Sequence, residues 1–291
     1  LHAAWLFLLP ITPLLSQQGP PALPPPPSSS TPDITREELR DHVVWLAADE
    51  LEGRGTGTAA IDLAAEYIAR EFARYGLQPG GNDGGWFQTF PVVTGVASHG
   101  NTLAVLRGDE PVPIDTLQFM PCAVSASGEF TGVPVFAGYG IVAPEDGIDD
   151  YAGIDVQGRV VIVRDGFPED ANPHGAVGML STVRGKELAA RERGAAALLI
   201  IDENPARIRT LRYDGSPSRT QIPVARIAPG VAETILGVSD LPDDTQTQFG
   251  KGPASHSGKT ALRVQGDFRI SKISTQTRNV IGILPGADPV L

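Results

Sequence analysis

A single cysteine, Cys122, occurs in the 291 residues, which excludes an internal disulfide and any cysteine-rich metal site. Its thiol has two readings, a functional nucleophile or a small buried hydrophobe, and the buried hydrophobe is the expectation. Positive charge is also scarce. The 23 Lys and Arg residues face 34 Asp and Glu, giving a net charge of −11. That balance argues against nucleic acid as a partner, because such binding rests on cations that neutralise phosphates. No polybasic stripe is present to hold an anionic membrane surface. No apolar run reaches the roughly 20 residues of a membrane-spanning helix, so no stable span is expected in the mature chain.

Recognisable chemistry is equally thin. His2, His42, His99, His174 and His256 are scattered, and none stands in an HExxH or HxH spacing. His42 falls in a helical segment, where a polar-face or capping role is the expectation. No GxSxG elbow occurs, since SASG at Ser125–Gly128 and SHSG at Ser255–Gly258 both lack the first glycine. The glycine-rich Gly53–Thr58 precedes a helix and could cradle an anion. It follows a helix instead of a strand, however, and carries no Walker lysine. Gly138–Gly140, GYG, follows a strand, but Pro144 and the loop after it argue against a dinucleotide fingerprint. The sequence therefore names no catalytic, cofactor-binding or metal-binding residue.

The amino terminus is apolar over Ala3–Leu15, as long as the h-region of an export signal, but it lacks a basic n-region and starts at Leu1. The expectation is the remnant of an export signal over residues 1–16, on a sequence truncated at its start. A Pro/Ser-rich tether over 17–33 follows, including GPPALPPPPSSSTP at Gly19–Pro32. That order points to a periplasmic or extracellular protein.

Folded structure is predicted from Thr35. Thr35 and Glu38 form a capping box, and Ile34 with Leu39 a hydrophobic staple. A helix over about 36–47 follows, with Leu39, Val43 and Leu46 on one face. Beyond DELEGRGTGT (Asp49–Thr58), a second helix buries Ile61, Ala65, Ile68 and Phe72. Gly76 ends it in a Schellman turn, with Leu77 set against Phe72. Trp86–Phe90 is extended. Strands are predicted near 102–107, 133–137, 159–164, 196–201, 222–227, 261–265, 268–273 and 279–284. Helices are expected over 182–193 and after Pro229.

The most informative stretch is Val133–Gly166. It holds two β-branched runs, Val133–Ala137 and Val160–Val163, separated by an acidic, glycine-punctuated loop. Glu145, Asp146, Asp149, Asp150 and Asp155 could offer oxygens to calcium, but they lack the EF-hand alternation. A solvated, turn-forming loop is the expectation. With no thiol or histidine inside it, the stretch reads as a scaffolding or binding unit.

Three stretches together resemble the amino-terminal half of secreted di-zinc aminopeptidases, relatives of glutamate carboxypeptidase and the transferrin receptor. One is DELEGRGTGT with YIAREFARYGLQPGG (Tyr67–Gly81). Another is VFAGYGIVAPEDGIDDYAGIDVQGRVVIV with KELAARERGAAALLII (Lys186–Ile201), which is similar to the protease-associated (PA) domain inserted in many of these enzymes. The third is TRNVIGILPGADP (Thr277–Pro289), similar to the peptidase strand that returns after the insertion. The resemblance implies an α/β fold with three folded parts. These are a helical part at 34–98, a strand-rich PA domain at 99–266, and the first strand or strands of an incomplete zinc-peptidase domain at 267–291.

The resemblance also implies a parent enzyme. It would hydrolyse the amino-terminal bond of a peptide or protein substrate with water activated by two zinc ions. The family's ligands would follow the NVIGILPG-like strand, so none falls on this sequence, and the fragment is expected to bind no zinc and to be inactive alone. The alternative is a non-enzymatic, exported PA-domain binding protein. A third reading, the accessory part of a subtilisin-type protease, is opposed by the LEGR and NVIGILPG stretches.

Overall fold

The computed structural model describes residues 33–169, 171–216, 219–238 and 262–286. The apolar run Ala3–Leu15, the tether Gly19–Pro32, His2 and the Ser255–Gly258 stretch with His256 lie outside the described residues.

In chain order the elements begin with α1 (Arg36–Leu46), α2 (Ala59–Arg74), β1 (Gln78–Pro79), β2 (Phe87–Ser98), β3 (Thr102–Arg107), β4 (Glu110–Pro113), β5 (Phe119–Pro121), β6 (Gly128–Gly132) and β7 (Pro134–Phe136). There follow β8 (Val142–Ala143), β9 (Ile148–Asp149), β10 (Val160–Arg164), α3 (Ala176–Leu180), α4 (Val183–Glu192), β11 (Ala197–Ile201) and α5 (Pro205–Arg209). The last are β12 (Val224–Ile227), α6 (Pro229–Leu236), β13 (Arg263–Phe268), β14 (Ile270–Val280) and β15 (Gly282–Ile283). The chain is thus mixed α/β. Its described residues divide into two compact units, one made of those up to Val92 together with those from Thr275, the other of those within Val93–Ser274.

In the discontinuous unit, α1 starts with the capping box read from the sequence: Glu38 N–H donates to Thr35 Oγ1 at 3.2 Å, and Thr35 N–H to Glu38 Oε2 at 3.4 Å. The expected apolar face is not the buried one. Leu39 and Val43 are exposed, as is Ile34, so the staple is open to solvent. Trp45 is buried instead and stacks on Tyr67 of α2, with centroids 3.9 Å apart. The larger ring decides which stripe of α1 turns inward, because it removes more apolar area from water.

On α2 the fully buried positions are Ala60, Ala64, Ala65, Tyr67, Ala69 and Glu71, while Ile61, Ile68 and Phe72 are only half-buried. The small alanines let the neighbouring backbone come close. The helix ends as expected: Gly76 takes φ +77°, its N–H donates to Ala73 O, and Leu77 N–H donates to Phe72 O at 3.0 Å. Arg278 of β14 clasps this helix through Asp62 (3.1 Å) and Glu66 (2.9 Å).

The continuous unit is built on a five-stranded sheet in the order β5-β12-β11-β10-β7, all parallel except β5. A second, antiparallel sheet has the order β4-β3-β13-β6. The unbroken apolar runs follow from a sheet buried on both faces. Val160, Ile162, Leu199 and Ile201 point into a core shared with α6 and with Leu103, Val105, Phe130, Val264 and Phe268 of the second sheet. Their alternates Val161, Val163, Leu198 and Ile200 pack against Ala189 and Ala190 of α4, and Tyr151.

Strands β3, β7, β10, β11 and β12 lie where the sequence placed them, within two residues at either end. At the carboxyl-terminal side the breaks differ. β13 and β14 meet at Arg269, β14 runs unbroken to Val280, and only Gly282–Ile283 forms the final short strand, paired with β1. β4 and β6 escaped the sequence reading because proline in the first and glycine in the second disguise edge strands.

Candidate functional site: an arginine-rimmed cleft beside the parallel sheet

In open parallel sheets, ligands bind outside the carboxyl ends of the strands. Here the strand ladder runs one residue past β10 and β11: Asp165 N–H donates to Ile201 O, and Asp202 N–H to Ile227 O, both at 3.0 Å. The two carboxylates therefore arrive side by side at the same edge. Arg226 of β12 stands between them, with Nη1 2.6 Å from Asp202 and 3.1 Å from Asp165. Arg207 of α5 closes the square, 2.8 Å from Asp165 and 3.0 Å from Asp202. The Asp202 side chain is fully buried, and its Oδ1 also accepts Asn204 N–H at 2.9 Å.

Burial opposes the charge on Arg226, but the carboxylates of Asp165 and Asp202 outweigh it and hold the guanidinium above its ordinary range. The pair-of-pairs has the geometry of a network, in which each removal leaves a partner exposed to a low dielectric.

Beside this square opens a cleft of about 350 Å³. Its floor is Met120–Val124, the end of β5 and the residues after it, fixed by Cys122 N–H donating to Val224 O at 2.9 Å. Its rim carries Arg184 at the start of α4, together with Arg207, Arg212, Asp214 and Arg226. Arg184 and Asp214 pair at 2.5 Å, and that hydrogen bond holds the Asp214 carboxyl below the usual carboxylate range. Cys122 is buried, and burial pushes its thiol up to about 12. It is a small hydrophobe in the floor, as the sequence reading expected, because a thiol so raised yields almost no thiolate at neutral pH.

The other sequence candidates lie elsewhere. Asp150 of the acidic loop is buried, against the expectation of a solvated loop. Its Oδ2 accepts the N–H groups of Tyr139 (3.0 Å) and Ile141 (2.9 Å) and so holds the GYG turn. Desolvation raises its pKa, opposed by those two hydrogen bonds and by Lys186. Asp149 and Asp155 cap local turns at Tyr151 and Gln157.

Lys186 of α4 is fully buried below the same turn. Its Nζ donates to the carbonyls of Tyr139, of Arg164 (3.1 Å) and of Gly166 (2.7 Å). Desolvation pushes the lysine down to about 8, against the pull of Asp165 and Asp150. Ser125 is buried, donating to Ala126 O and accepting Val224 N–H, which makes it a structural hydroxyl. His42 lies between two phenols, Tyr67 (2.5 Å) and Tyr75 (2.9 Å), joining α1 to α2. The sequence reading missed the arginines of the cleft. The available signal was the cluster Arg207, Arg209 and Arg212 in so acidic a chain.

Among the described residues, no group of three or more His, Cys, Asp or Glu side chains could hold a metal ion. No helix among them is long and apolar enough to cross a membrane.

Comparison with known proteins returns one family model, the PA domain, over residues 127–235. No match is found among curated proteins. Among solved structures, the chain is similar to an aminopeptidase from Aneurinibacillus sp. strain AM-1 (17% identity, TM-score 0.40, covering 80% of this chain and 45% of that one). It is also similar to a peptidase M28 precursor from Shewanella amazonensis (14%, 0.37, 78% and 46%) and to a zinc aminopeptidase from Bacillus subtilis (17%, 0.38, 85% and 46%). The chain thus spans about half the length of the solved structures it matches. Residues 127–235, which include the parallel strands β7, β10, β11 and β12 and the arginines of the cleft but not its floor, form a PA domain.

Proposed function

We propose that this chain is the part of an exported zinc-dependent aminopeptidase that carries the accessory PA domain, flanking the place where peptides are cut in the whole enzyme. One observation carries the reading. The unit Val93–Ser274 interrupts another unit, whose two parts stand far apart in sequence. The PA match falls in the interrupting unit. The aminopeptidase-like stretches, Asp49–Thr58 with Tyr67–Gly81 and the described part of Thr277–Pro289, fall in the interrupted one. Leu39, Val43 and Val44 on α1, with Ile283 and Leu284, leave apolar surface exposed there, suited to packing against further peptidase structure.

The residues described do not fit a zinc pair, since no ligand group converges among them. No step of hydrolysis is therefore assigned to this chain. Two measurements test the reading. The purified chain is expected to hold no stoichiometric zinc and to leave an aminoacyl nitroanilide uncut; turnover of that amide at an enzymatic rate would overturn it. In the secreted fraction of the source cells, peptides of this chain are expected within a longer polypeptide that has aminopeptidase activity. Recovery only at the mass of this chain would overturn the reading in favour of an exported PA-domain binding protein. The arginine-rimmed cleft is the observation that favours that second reading.

A further inference from the structure

We infer that the arginine-rimmed cleft beside β5 and β12 is a binding site for the carboxyl terminus of a peptide. The inference goes beyond the aminopeptidase reading and does not depend on it. Its first support is charge. Four arginines, Arg184, Arg207, Arg212 and Arg226, line a single cleft in a chain of net charge −11. Three of their charges are matched: Arg207 and Arg226 by Asp165 and Asp202, and Arg184 by Asp214. Arg212 is exposed and makes no ion pair among the described residues. One positive charge is left at the rim.

The first turn of α4 reinforces it. Thr182 and Val183 line the same cleft, and Thr182 Oγ1 caps only Gly185 N–H, at 3.1 Å. A ten-residue helix thus directs the positive end of its dipole at the cleft.

The floor decides which anion. Met120, Pro121, Ala123 and Val124 are apolar where they line the cleft. Inorganic phosphate would gain nothing from such a surface and would bring more negative charge than the single surplus cation balances. An aspartate or glutamate side chain ends in its carboxylate, with no apolar group to place beside it. The last residue of a peptide carries its carboxylate and its side chain on one carbon. It can set the first on Arg212 and the second on the floor. The volume of about 350 Å³ lies at the small end of the range for ligand pockets, suiting one or two residues and not a folded partner.

The test uses the chain as it stands, without zinc, and a fluorescein-labelled pentapeptide of glycine and serine ending in leucine, made once with a free carboxylate and once as the amide. Fluorescence polarisation is expected to show binding of the acid, weakened about tenfold or more for the amide, as for loss of one charge-assisted hydrogen bond. Arg212→Gln, at an exposed position, is expected to weaken the acid by a similar factor and to leave the amide unchanged, with an unaltered circular dichroism spectrum. Equal affinity for acid and amide would overturn the inference, as would an Arg212→Gln variant that binds the acid like the parent. Neither result bears on the aminopeptidase reading, which rests on zinc, turnover and polypeptide mass.

Discussion

Arg226 and Asp202 meet at 2.6 Å across neighbouring parallel strands, with the Asp202 side chain fully buried. The contact exists because each residue ends or nearly ends its strand: Asp202 follows β11 directly, and Arg226 is the penultimate residue of β12. A buried charge held this way is costly to orphan. Asp202→Ala is therefore expected to destabilise the unit by about 2–4 kcal/mol, the lower end reflecting the Asp165 partner that Arg226 keeps. Arg207→Ala, which removes a partly exposed guanidinium from the same square, is expected to cost only about 1 kcal/mol or less. Urea unfolding of the two variants checks the ranking, and equal costs would mean that burial does not govern the network.

Lys186 gives a pH dependence with a definite sign. Its folded pKa, about 8, lies below the ordinary lysine value of 10.5. Between those two values the unfolded chain binds more protons than the folded one, so stability rises with pH across that window. The shift corresponds to about 3 kcal/mol at full development. In Lys186→Met the dependence disappears, and the carbonyls of Tyr139, Arg164 and Gly166 lose their donor. The variant is expected to be less stable at pH 7 and to fall further behind the parent by pH 10. Chemical denaturation at both values measures this; a gap that narrows with pH would contradict it.

The strands were legible in the sequence because a parallel sheet covered on both faces must be apolar throughout, and Val160–Val163 and Leu198–Ile201 are such runs. The capping box at Thr35 and the Schellman turn at Gly76 were legible because each is a local rule of a few residues. The inward stripe of α1 was not, since Leu39, Val43 and Trp45 all offer apolar faces and only the stacking partner Tyr67, 22 positions beyond Trp45, decides among them. The cleft was illegible for the same reason. Its arginines come from α4, α5, the loop after α5 and β12, and only the folded chain brings these separate segments to one cleft. Asp150 looked like part of a solvated acidic run because nothing local reveals that Tyr139 and Ile141 point their N–H groups at it.

The GYG turn offers a sharp steric test. Gly140 has φ +68°, and a Cβ there would lie 2.7 Å from Val163 Cγ1 and 3.2 Å from Tyr151 Oη. Val163 is fully buried and has nowhere to move. Gly140→Ala is expected to cost about 2–4 kcal/mol, combining left-handed strain with overpacking. Gly153 has a similar φ, +75°, with nothing within 4 Å of an added Cβ. Gly153→Ala should therefore cost only the backbone part, about 1–2 kcal/mol. Thermal unfolding of the pair separates sterics from strain, and equal shifts would show that the Val163 contact relaxes.

Among the described residues, three of the four apolar clusters, those around Val160, Val161 and Ile141, draw every buried member from residues between Leu103 and Phe268. The fourth, Trp45, Leu51 and Tyr67, is the only one of them in the discontinuous unit. A segment that closes its own cores meets the condition for folding alone, whereas a cluster of three large side chains beside the buried alanines of α2 falls far short of it. Expressed by itself, Val93–Ser274 is therefore expected to unfold in one cooperative transition with near-ultraviolet circular dichroism intact. Limited proteolysis of the whole chain should leave this segment as the resistant product, with cuts falling first near α1 and β15. Early cleavage within β10–β12, with the ends protected, would show that the continuous unit depends on the residues that flank it.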